Sequence, residues 1–160
     1  MSVRVFAPAK INLTLEVGRP RADGYHPLQS AVVFAGEGDW IEAEQAETLT
    51  LTIAGPFSAG LEVDENNLVT RAARLLDPAR GASLKLEKNL PVASGIGGGS
   101  SDAAATLLAL NELWALGLPL GELSKRAAKL GADVPVCLRK RPAWISGVGD
   151  AVAPMRAPAL

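Results

Sequence analysis

The sequence predicts an α+β domain in two layers, a sheet packed against helices. Three observations lead there. Residues 10–17 alternate, with Lys10, Asn12, Thr14 and Glu16 on one face and Ile11, Leu13, Leu15 and Val17 on the other. Period-two segments fill the first half of the chain and helix-period segments the second. Between them, a glycine-rich stretch runs straight into an apolar helix-forming run, Ala103 to Leu110.

The alternation over 10–17 predicts a strand with Ile11 and its companions buried and the Lys10 face polar. Gly18 to His26 follows as a loop, with Asp23-Gly24 as its turn signal. Further strands are expected at Ser30–Phe34, Trp40–Glu44 and Thr48–Ile53. Asn66-Asn67 offers an N-cap for a helix over Leu68–Leu76, which Asp77-Pro78 ends. Ser83–Glu87 alternates as a strand and leads into the glycine-rich stretch. The next helix runs to about Leu116 and stops at Gly117, and another covers Leu120–Leu130 before Gly131. Val134-Pro135 after Asp133 reads as a fixed turn, and Ala143–Ile145 as one more strand.

Composition narrows the function class. The chain has 160 residues, 48% of them hydrophobic and 21% charged, with a formal net charge of -1. That suits one globular domain with a real core. Near-neutral charge gives no support for nucleic acid or a membrane surface as partner. The single cysteine, Cys137, excludes an intramolecular disulfide and reads as a small buried apolar residue. With one histidine there is no zinc-type cluster, and no protein metal ligand is assigned. Met1 to Pro8 carries no signal-peptide apolar region, and no later run is long enough to span a membrane, so a cytoplasmic location is expected. Trp40, Trp114 and Trp144 are expected in the core or at its rim.

The stretch Pro91, Val92, Ala93, Ser94, Gly95, Ile96, Gly97, Gly98, Gly99, Ser100, Ser101 carries the chemistry. Its four glycines lie within five residues. They let backbone N–H groups turn toward one point, at the positive end of the following helix. That is a cradle for a phosphate chain. It is neither a Walker loop, which needs a lysine where Ser100 stands, nor a dinucleotide loop, whose third small residue is replaced by Ser100. The serine hydroxyls either contact phosphate or Mg²⁺ or simply cap the helix. Asp102 in the first turn reads as structural, and Asn67 as a cap rather than a base contact. On residues alone, Lys10 reads as a surface strand residue, Asp133 as a turn or cap, and Tyr25-His26 as part of a turn.

Three segments taken together, Pro8-Ala9-Lys10-Ile11-Asn12-Leu13, the glycine–serine stretch and Gly131-Ala132-Asp133-Val134-Pro135-Val136, resemble the GHMP kinase superfamily. Arg21-Ala22-Asp23-Gly24-Tyr25-His26 narrows the resemblance to members acting on a cytidine diphosphate sugar alcohol rather than mevalonate or homoserine. It extends from about Val5 to Ala153. The resemblance implies a ribosomal-protein-S5-domain-2-like fold, with residues 1–152 as the N-terminal ATP-binding domain. It makes 153–160 the start of a connection to a C-terminal domain. It implies an ATP- and Mg²⁺-dependent enzyme, a monomer or homodimer, phosphorylating the sugar alcohol's 2-hydroxyl for isoprenoid precursor synthesis. Lys10 and Asp133 would be catalytic, Pro91 to Ser101 would hold ATP, and Asn12, Tyr25 and His26 would bind the alcohol. In many members an aromatic residue follows the last of these segments, where this chain has Cys137. Two other readings stay open: a different small-alcohol kinase of the superfamily, or a non-catalytic nucleotide-binding domain.

Overall fold

One long strand organises the sheet. The computed structural model describes residues 1–17, 28–91, 98–146 and 151–154. β2, Leu28–Gln45, pairs antiparallel along one edge with β1, Ser2–Val17. Its other edge is shared. β4, Ala82–Glu87, pairs with Trp40–Gln45, and β5, Ala143–Ser146, pairs with Ser30–Val32. β3, Leu49–Ala54, adds in parallel beyond β4, and β6, Ala151–Pro154, beyond β5. The two expected strands at Ser30–Phe34 and Trp40–Glu44 are therefore one strand, because β1 pairs across the glycines between them. β6 has no counterpart among the expected strands.

The helices lie on one face. α1, Leu68–Leu76, has the predicted bounds, and the Asn67 side chain accepts the Val69 N–H at 2.9 Å as its cap. α2, Gly98–Leu113, crosses β1 and β2 and packs on α1. It ends earlier than expected. Ala115, at φ 51, closes a Schellman turn in which Leu116 donates to Asn111, so Gly117 is not the stop. α3 spans Leu120–Ala127. The predicted turn at Val134-Pro135 instead opens α4, Val134–Arg139, since proline is favourable in a first helical turn where its missing N–H costs nothing.

The core lies between the layers. Ile41, Leu84 and Leu86 of the sheet meet Val69, Ala73, Leu107 and Leu110 of the helices, all under 3% exposed. Trp114 joins this core at 6% exposed, whereas Trp144 is 48% exposed, against expectation.

The expected burial of β1 fails over residues 10–13, although Asn12 is exposed as its polar face predicts. Ile11 and Leu13 are exposed, and Lys10 is buried at 3%. The pairing slips between Pro8 and Lys10, where Pro8 faces Gly38 but Lys10 faces Phe34, and again between Asn12 and Thr14. Val3 and Ala7 face the helices. The irregularity after Pro8 shifts the alternation by one and turns Lys10 to that same side, as bulges beside functional sites do.

Candidate active site

Lys10 and Asp133 meet. The Lys10 ammonium lies 3.1 Å from Asp133 Oδ2, with the lysine side chain 4% exposed and the aspartate 49%. β1 supplies the lysine through the slip at Pro8, and the residue leading into α4 supplies the aspartate. Asp133 occupies the N-cap position of α4, yet its side chain makes no capping hydrogen bond. The carboxylate is thus oriented by the lysine and open to anything that approaches. Behind the pair, Cys137 is fully buried, and burial pushes its thiol up to about 12 against the pull of Lys10. It stays a thiol. Asn12 follows Lys10 on β1 and is exposed.

Two more contacts hold this part of β1. The Ser101 hydroxyl donates to the Pro8 carbonyl at 2.7 Å, and Lys140 Nζ donates to the Phe6 carbonyl at 2.5 Å. Lys140 sits in the left-handed region at φ 53, and burial lowers the pKa of its ammonium.

The serines do not cap α2, because the helix already begins at Gly98. Ser101 is 1% exposed and gives its proton to Pro8, so it keeps only lone pairs to offer a ligand. Ser100 is half-buried in the same turn. Among the described residues a Cβ on Gly99 would touch only Leu68 Cδ1, at 3.5 Å, so none of them demands glycine there. Room for a ligand against the backbone is the remaining use. Pro91, at the start of the stretch, is exposed, whereas Val92 to Gly97 lie outside the described residues, as do Tyr25 and His26.

A second charged cluster joins the end of β4 to β2 and α2. Lys88 Nζ is 2.8 Å from both Asp39 Oδ2 and Asp102 Oδ2, and all three side chains are 4% exposed or less. Asp39 Oδ1 also accepts the backbone N–H of Asn89 at 2.6 Å and of Leu90 at 2.9 Å. Burial pushes the Asp102 carboxyl well up, with Asp39 beside it adding to the effect and Lys88 opposing it. Burial would lower Lys88, but the two carboxylates outweigh it and its pKa is raised. Asp102, read as structural from the sequence, is sealed in this cluster, and its partners were not foreseen. The one sequence signal was a lysine standing between an alternating strand and a glycine-rich stretch.

This arrangement suits an anion at the head of α2. The helix has no acidic residue in its first turn, and the first carboxylate along it, Asp102, is sealed against Lys88. Among the described residues no group of three acidic, histidine or cysteine side chains could hold a metal. No helix among them is long and apolar enough to cross a membrane.

Residues 67–141 match the family profile of the GHMP kinases N terminal domain. The chain is 56% identical over 155 residues to a 4-diphosphocytidyl-2-C-methyl-D-erythritol kinase of Ruegeria pomeroyi, covering 97% of this chain and 54% of that protein. It is 58% identical over 153 residues to one from Cereibacter sphaeroides, covering 96% and 54%. A solved structure of a 4-(cytidine 5'-diphospho)-2C-methyl-D-erythritol kinase superposes with a TM-score of 0.80 at 39% identity, covering 97% of this chain and 56% of that one. The chain therefore spans about half the length of the relatives it matches. Its fold is that of a GHMP kinase N-terminal domain, and residues 67–141 carry that family's profile.

Proposed function

From the premise of a GHMP kinase N-terminal domain, we propose that the chain is the ATP-binding half of a kinase. Its substrate is the 2-hydroxyl of 4-diphosphocytidyl-2-C-methyl-D-erythritol, in isoprenoid precursor synthesis. The observation that carries this is the Lys10–Asp133 contact, a sealed ammonium holding a carboxylate that stays open to solvent. The names of relatives 56% and 58% identical supply the substrate.

Phosphoryl transfer asks a protein for alignment and charge neutralisation. The N–H groups at the head of α2 hold the phosphates of ATP, with Gly99 leaving them room. Asp133 accepts the proton of the acceptor hydroxyl as its oxygen bonds to the γ-phosphorus and ADP leaves. Lys10 keeps that carboxylate in place and offsets charge developing on the transferred group. Mg²⁺ comes with the ATP phosphates; hydroxyl lone pairs at Ser100 and Ser101 are the described protein atoms suited to it. Asn12 sits where the alcohol would lie, and Tyr25 and His26 take the cytosine by stacking and hydrogen bonding. Residues 153–160 would begin the connection to a C-terminal domain that completes the pocket. The enzyme works in the cytoplasm, as a monomer or homodimer.

A coupled ADP-release assay on the full-length protein tests this. Turnover is expected with the cytidine diphosphate alcohol and little with mevalonate or homoserine. Tyr25→Ala and His26→Ala should raise KM for the alcohol and not for ATP. Comparable turnover of mevalonate would move the chain to a different branch of the superfamily.

A further inference from the structure

Lys88 joins two points that the sequence keeps apart. It stands directly after β4, where its backbone N–H donates to Ala54 at 2.7 Å. Its ammonium reaches back to Asp39 of β2 and forward to Asp102 of α2, at 2.8 Å each. Asp39 in turn grips the next two residues, Asn89 and Leu90, by their N–H groups. The chain that enters the glycine-rich stretch and the helix that leaves it are therefore fixed to one buried centre.

Such a centre is an inefficient way to gain stability. Removing three charges from water costs more than an apolar cluster of the same volume. Asp102 Oδ1 is buried with no geometric hydrogen bond among the described residues, and the Asp39 carboxyl lies beside it. What the charges supply is direction. Each bond fixes a distance between the two ends of the stretch, and a preset distance lowers the ordering cost of ligand capture.

We propose that Asp39, Lys88 and Asp102 act as positioning residues, a clamp on both ends of the glycine-rich stretch that sets the enzyme's affinity for the phosphates of ATP. The clamp's effect on ATP rests on the kinase reading above. Its hold on the backbone does not.

The test uses the full-length protein with Lys88→Met, Asp39→Asn and a control, Leu123→Ala, which opens a cavity in α3 where Leu123 is 1% exposed. Lys88→Met should raise KM for ATP by about tenfold or more, with KM for the cytidine diphosphate alcohol within about twofold. Asp39→Asn keeps the shape and one acceptor oxygen, so it should move KM for ATP less and in the same direction. It also decides the matter if Lys88→Met fails to fold. Leu123→Ala should lower Tm without raising KM for ATP. Equal KM values for ATP in the clamp variants and the control would overturn the proposal. If the wild type neither binds nor turns over ATP, the kinase reading has failed, and amide hydrogen exchange without nucleotide decides the clamp. Faster exchange at Asn89 and Leu90 in the clamp variants than in the control supports it; equal exchange removes it.

Discussion

Lys10 and Lys88 are both buried lysines paired with aspartate, and they are built for opposite ends. Among the described residues Lys10 has one ion-pair partner, and that partner is half exposed. Lys88 has two, both sealed from water. An ion pair with an open carboxylate can exchange a proton with a substrate, because one lone pair still faces outward. A closed pair can only hold backbone in place. Exposure of the acid, rather than of the base, separates a reacting pair from a fastening one.

The largest expected effect sharpens that contrast through stability. Lys88→Met strands two buried carboxylates against each other and should cost about 3–5 kcal/mol in urea unfolding. Lys10→Met should cost far less, since Asp133 is free to take up water. Equal losses would erase the distinction.

Activity should show the reverse order. In the full-length protein, Asp133→Asn keeps size but cannot accept a proton, so kcat should fall on the order of 10²-fold with ATP affinity little changed. Lys10→Ala should fall comparably, and the double variant far less than additively, because the two act as one unit. A near-normal kcat for Asp133→Asn would leave positioning alone to carry the reaction.

The smallest effect lies in pH. The Asp102 carboxyl is pushed up in the folded state, so its contribution to stability is fully present at low pH and is lost as pH rises through the raised value. Relative to Asp102→Asn, wild type should lose stability as pH climbs above the ordinary carboxylate range. Unfolding free energies of both proteins across that range give the answer, and a difference that grows with pH in favour of wild type contradicts it.

What could be read from the sequence was local. The bounds of α1 follow from Asn67 and Asp77-Pro78, signals within a turn of the helix ends. The meeting of Lys10 with Asp133 came from resemblance, not spacing. The burial of β1 was misjudged because alternation gives two faces without saying which one α2 covers, and the slip after Pro8 turns Lys10 inward while Ile11 and Leu13 stay exposed. The Lys88 cluster joins residues 49 and 14 positions apart, and no pattern in the chain relates them. Pro135 misled because proline opens a helix as readily as it forms a turn.

Gly38 stands opposite Pro8 at that slip. A side chain there would overlap the Ala7 carbonyl oxygen and come within 2.6 Å of Pro8 Cα. Its φ is not in the left-handed region, so the demand is for space alone. Even alanine would drive β1 outward, and the carbonyl that Ser101 holds and the ammonium two residues on would move with it. In a saturation scan read out by growth, position 38 would rank beside Asp133 although it touches no reacting atom. Intolerance there would mark the hinge on which the site is hung, and a map of sensitive positions would draw the active site one strand too wide.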